Sequence, residues 1–168
     1  MKKLLTSIIA SILLIGCATN NNDVQNDYNY FENVDIEKIT LSEAYDYMKE
    51  GNNGVLFMSF RDCPYCEVAW PIFREVCDEY KDVPVYYVNV NRNERESGEP
   101  TYDLWVEALS EFLGEDKNIY MPTIIGVRGG EPTSISIGTI EDIEQMEDAS
   151  NIERQKDIYR NIFYRSGE

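Results

Sequence analysis

The chain of 168 residues contains no histidine. That absence removes the imidazole on which Ser–His pairs, Cys–His pairs and many zinc sites depend. Cations are also scarce: 15 Lys and Arg face 31 Asp and Glu, a formal net charge of −16. A surface of that sign repels phosphate backbones and anionic headgroups, so nucleic acid is not expected as a partner. The acidity reads as a solubility device. No internal repeat is visible. The one Gly-Gly pair, Gly129-Gly130, is followed by no phosphate-binding lysine and suits a tight hairpin turn. What is present is enough for a packed domain: 43% of the residues are apolar and 12% aromatic.

The longest apolar run is short. Leu4 to Ile15 follows Lys2 and Lys3 and does not comfortably reach across a bilayer. It ends in Leu14-Ile15-Gly16-Cys17, which resembles the lipobox of bacterial lipoproteins. The resemblance implies that residues 1–16 are a signal peptide and that Cys17 carries a diacylglycerol thioether at the new N-terminus. It places the protein on the extracytoplasmic face of the bacterial cell membrane, where disulfides persist. Losing residues 1–16 removes two lysines and no acids, taking the net charge from −16 to −18. Residues 17–37, rich in Asn and Asp, read as a flexible tether, and 38–168 as the folded domain.

Within the domain, Thr40 and Glu43 form a capping-box pair for a helix over about 41–50, stopped by Gly51. The run GVLFMSF (54–60) reads as a buried strand, and 64 to about 80 as a helix. VPVYYVNV (83–90) has strand composition, and 91–100 is a charged loop. Leu104, Trp105, Ala108, Leu109 and Phe112 recur at helical spacing. MPTIIGV and TSISIG flank a turn and predict a hairpin. Ile152, Ile158, Ile162 and Phe163 predict a final helix. The order α-β-α-β-α-β-β-α calls for an α/β domain, a mixed sheet of about four strands with helices on both faces. Trp70, Phe73, Trp105 and Phe112 are expected in its core.

Chemistry concentrates in FRDCPYCEVAWP, residues 60–71. Cys63 and Cys66 suit a redox couple, half a zinc site or a structural disulfide. Zinc wants four ligands, and the chain supplies only Cys77 and Cys17 besides these two. A structural disulfide closing so short a loop constrains the unfolded chain little. A redox couple fits better. Cys63 falls at the N-cap of a helix with Pro64 at its first position, where free amides and the helix dipole stabilise a thiolate. Cys63 is then expected as the exposed thiol and Cys66 as the shielded one. Cys77, eleven residues after Cys66, lies ~16 Å further along the same helix and cannot bond it; it reads as a small core residue.

These residues resemble the thioredoxin-fold thiol–disulfide oxidoreductases. Cys63-Pro64-Tyr65-Cys66 is similar to the motif of glutaredoxins, and Pro71 to the helix-kinking proline of thioredoxins. Met121-Pro122-Thr123 resembles the family's cis-proline loop. The lipid anchor and the motif together resemble the thioredoxin-like accessory lipoproteins of Gram-positive bacteria, some linked to bacteriocin export. The resemblance implies a thioredoxin fold over residues from about 38 to 165. It implies that Cys63 attacks client disulfides, that Cys66 resolves, and that Pro122 lines the site against an extended substrate. No cofactor is implied. Client proteins with cysteines or disulfides and a membrane electron donor are the implied partners. A non-enzymatic binding module for an export system is the alternative. Three positions depart from the family: Phe57 stands where thioredoxins bury an aspartate, Asp62 where they have tryptophan, and Gly138-Thr139-Ile140-Glu141-Asp142 echoes the glutathione site of glutaredoxins only faintly. Asp62 or Glu67, or water, then has to carry the proton during resolution.

Overall fold

The computed structural model of the protein describes residues 36–60, 63–90 and 100–167. The expected signal peptide, Cys17, nearly all of the tether, Arg61, Asp62 and the 91–99 loop lie outside the described residues.

Five strands form one sheet among the described residues: β1 (Glu37–Thr40), β2 (Gly54–Ser59), β3 (Val85–Asn89), β4 (Thr123–Arg128) and β5 (Glu131–Ile137). Their order is β1-β3-β2-β4-β5, with β1, β3 and β2 parallel and β4 and β5 antiparallel. The helices are α1 (Leu41–Lys49), α2 (Pro64–Glu79), α3 (Pro100–Ala108) and α4 (Ala149–Gly167), with a 3-10 turn at Ile143–Glu147 before the last. This connectivity and strand order are those of the thioredoxin fold.

Strand alternation divides the core into two layers. Leu56, Met58, Val88 and Ile125 point to the face covered by α1 and α3, where Leu41, Ala44, Met48 and Trp105 meet them. Val55, Phe57, Tyr87 and Ile124 point to the opposite face, against Phe73 and Val76 of α2 and Tyr159, Ile162 and Phe163 of α4. Central β2 is buried at all six positions, as its unbroken apolar run requires. Each fully buried large apolar side chain contributes about 1.5–3 kcal/mol. Trp105 also donates its indole N–H to the Leu41 carbonyl at 3.1 Å, which joins α3 to the start of α1.

The capping box forms as the sequence implies. The Glu43 amide donates to Thr40 Oγ1 at 3.2 Å, and the Thr40 amide donates to Glu43 Oε2 at 2.7 Å. Gly129 and Gly130, at φ 60° and 92°, make the β4–β5 turn that only residues tolerant of positive φ accommodate easily.

Two expectations change. The sheet has five strands instead of about four, because Glu37–Thr40 pairs with β3 along its edge. And Phe112, expected in the core, is 37% exposed, because α3 ends at Ala108 and the helical spacing no longer holds beyond it.

Candidate functional site

Parallel β2 and β3 both end on one side of the sheet, and the chain leaving β2 there leads into Cys63. That residue is the N-cap of α2, with extended backbone angles (φ −94°, ψ 103°) and Pro64 at the first helical position. The Cys66 amide donates to Cys63 Sγ at 3.2 Å, and the Glu67 amide donates to the Cys63 carbonyl at 3.1 Å. The Cys66 amide also lies 3.0 Å from the Cys63 carbonyl, so it is shared between that oxygen and the sulfur, while the Glu67 amide makes the first ordinary helical bond. Cys63 and Cys66 are joined in a disulfide with their Cα atoms 5.2 Å apart. The expected contrast in exposure is absent in this form: Cys63 is 3% exposed and Cys66 6%. The S–S bond holds both sulfurs against the same apolar cluster.

The Met121–Pro122 peptide is cis. Antiparallel pairing of Met58 with Thr123 brings Pro122 beside the end of β2, from which the chain runs on to the dithiol. The Pro122 carbonyl accepts from the Gly138 amide at 2.7 Å, fixing the loop to the end of β5. Met121, Cys63 and Cys66 belong to one buried cluster, so the proline loop and the dithiol pack into the same layer of the core.

Beside it, bounded by Tyr65 of the motif and Met121 of the proline loop, lies a groove of about 420 Å³ whose other walls are Tyr120 and the 138–142 segment. Tyr65, the second residue of the motif dipeptide, is 38% exposed, and its hydroxyl donates to Asp142 Oδ1 at 3.5 Å. Tyr120 is 52% exposed and its hydroxyl donates to Asp116. That bond, with further hydrogen bonds from Asn118, holds the Asp116 carboxyl below its ordinary value. Glu141 pairs with Arg154 at 3.3 Å. Gln155, buried in α4, accepts from the Ile140 amide at 2.8 Å and shapes the far wall from behind.

The sequence named Cys63, Cys66, Pro64, Tyr65 and Pro122 as candidates, and the fold brings all five to one end of the sheet. It missed Tyr120 and the groove. The signal available was the 138–142 segment, noted only as a faint echo of a glutathione site. Phe57 is fully buried between Trp70, Phe73 and Tyr87, so its position offers no proton acceptor. Glu67 sits exposed on the first turn of α2. Cys77 is a free, half-buried thiol packed against the α2–α4 layer, and burial first, then the Asp78 charge, pushes its pKa up to about 12.

Comparison with known proteins yields solved structures only. No protein-family model matches the chain, and no curated protein does. Mitochondrial thioredoxin 3 from Saccharomyces cerevisiae, in its oxidised form, is 20% identical over 61% of this chain and 83% of its own, with a TM-score of 0.42. Thioredoxin from Aeropyrum pernix is 22% identical over 68% of this chain and 84% of its own, with a TM-score of 0.42. Thioredoxin f2 of Chlamydomonas reinhardtii is 15% identical over 71% and 97%, with a TM-score of 0.43.

Proposed function

We propose that this chain is a thiol–disulfide oxidoreductase that acts on protein disulfides outside the cytoplasm, anchored by a lipid on Cys17. The observation that carries the reading is the Cys63–Cys66 disulfide at the start of α2, with the Cys66 amide donating to the Cys63 sulfur. In the reduced protein that amide and the positive end of the helix dipole stabilise a Cys63 thiolate. That thiolate attacks one sulfur of a client disulfide, forming a mixed disulfide and expelling the other client sulfur as a thiolate. Cys66, deprotonated by water or a nearby carboxylate, then attacks the Cys63 sulfur and expels the second client thiolate. Two electrons pass from the dithiol to the client, and both client thiolates take up protons. A dithiol donor must return the two electrons before the next turnover. Pro122 faces the reaction from the β4 side and, with no N–H of its own, leaves an extended client strand to bond the neighbouring backbone.

The anchor rests on the Leu14-Ile15-Gly16-Cys17 sequence and the short apolar run before it. The test is insulin reduction with dithiothreitol as the electron donor. The wild type accelerates precipitation of the insulin B chain and Cys63→Ser does not. Equal rates for the two would leave the dithiol idle and favour a non-enzymatic binding module. Cys17→Ala releases the chain from the membrane fraction or blocks its processing. An unmodified Cys17 in the mature protein, seen by mass spectrometry, would rule out the anchor.

A further inference from the structure

The groove beside the dithiol has a definite charge. Among the described residues its ionisable side chains are the two carboxylates Glu141 and Asp142 together with the tyrosine hydroxyls, and none of the described lysines or arginines lines it. Arg154 pairs with Glu141 from outside the lining. Asp142 is exposed and meets a neutral partner, the Tyr65 hydroxyl. Tyr65 and Tyr120 turn their hydroxyls to acids, Asp142 and Asp116. Both rings stay accessible at the groove, and an accessible aromatic face attracts cations. Two independent features, a negative wall and exposed aromatic rings, therefore favour the same occupant.

We infer that the groove selects disulfides by charge: it accepts client segments carrying Lys or Arg beside the reacting cysteine and disfavours anionic disulfides. Asp142 is the specificity-determining residue and Tyr65 and Tyr120 supply the flanking surface. The inference rests on the oxidoreductase reading, since the charge acts on whatever attacks or leaves at Cys63. A unit charge several ångströms from a carboxylate, in a groove open to water, is worth a few-fold in rate. Exchanging a cationic for an anionic substituent applies that factor twice, so about tenfold separates the two.

The experiment uses the reduced protein and three small disulfides of similar size: cystamine (dication), 2-hydroxyethyl disulfide (neutral) and 3,3′-dithiodipropionate (dianion). Formation of the Cys63–Cys66 disulfide is followed by acid quench and alkylation at low and high salt. Measured relative to free dithiothreitol, which cancels the different leaving-group acidities, the wild type prefers cystamine over the dianion by about tenfold at low salt, and this ratio shrinks as salt screens the groove. Asp142→Asn lowers the ratio about fivefold. Arg154→Ala, which frees Glu141, raises it. Glu50→Gln makes the same change in net charge at the opposite end of β2, ~20 Å away, and leaves the ratio unaltered. Were Glu50→Gln to lower the ratio as much as Asp142→Asn, the preference would belong to the whole molecule's charge and the inference would fall. A wild-type preference no larger than that of free dithiothreitol, with the neutral disulfide reacting, overturns charge selection alone. Inertness toward all three disulfides instead overturns the oxidoreductase reading beneath it.

Discussion

Gly126 packs closely against α4, and replacing it with alanine tests the packing that supports the site. It lies in β4, between Ile125 and Val127 of the α1–α3 layer, and faces α4. A Cβ there runs into Ser166 Oγ well inside van der Waals contact, with Ser134 Oγ at 2.8 Å and Ile162 Cγ2 at 3.1 Å. Ser166 and Ser134 are buried and short, so neither hydroxyl can swing clear into solvent. Either α4 or β4 must move, and overpacking of this kind costs about 1–3 kcal/mol. For a domain of this size each kcal/mol lowers Tm by about 3–5 °C, so Gly126→Ala should melt about 3–15 °C lower. The assay is thermal unfolding by circular dichroism, with every variant kept oxidised so that the Cys63–Cys66 disulfide is constant. Relief should come from trimming the obstacles. Ser166→Ala loses only a back-bond to the Ile162 carbonyl at 2.8 Å, and the Ser134 hydroxyl is buried without a hydrogen-bond partner among the described residues, so its removal costs little. Adding Ser166→Ala and Ser134→Ala to Gly126→Ala should recover most of the lost Tm. A single alanine variant within 1–2 °C of the wild type, or a triple variant no better than the single, would refute the packing argument.

Three further predictions bear on the chemistry. Cys66→Ser should accumulate client mixed disulfides, resolved by non-reducing electrophoresis, while Cys63→Ser should not; equal trapping would overturn the assignment of attacker and resolver. In glutathione buffers the dithiol should equilibrate at roughly −270 to −200 mV, the range from thioredoxins to glutaredoxins, because no histidine stabilises the reduced form as strong oxidants near −120 mV require; a value above about −150 mV would make the protein a disulfide donor. Cys77, with its pKa pushed up to about 12 by burial and the Asp78 charge, stays a protonated thiol at neutral pH, and its alkylation should rise only as the pH climbs toward that value. Labelling of Cys77 at pH 7 as fast as Cys63 in the reduced protein would contradict its burial.

The parts of the fold legible in the sequence were those with strong local signals. The GVLFMSF run, the Thr40–Glu43 box and the Gly129-Gly130 turn each have one physical solution, and each formed. Edge strand β1 escaped notice because its four residues are mostly exposed and carry no apolar alternation; it is a strand because β3 offers it a free edge. Phe112 was assigned to the core on spacing alone, but the helix that would have buried it stops four residues earlier. The dithiol was legible from two cysteines and a proline at fixed spacing. The groove was not, since Tyr65, Tyr120 and Asp142 are brought together only by the return of β4 and β5 to the end of the sheet where α2 begins.

The ion pairs between α2 and α4 have a mechanical consequence. Arg160 grips both Glu79 carboxylate oxygens, at 2.8 and 2.9 Å, and Lys156 reaches Glu75 at 2.5 Å. These clasps hold the last turns of α2, while the disulfide occupies its first. Between those ends Trp70 and Phe73 are sunk into the core, and Cys66 in the first turn is buried as well. The helix is therefore a beam supported along its whole length, and the dithiol sits at the end of a member that is braced in its middle and pinned at its far end.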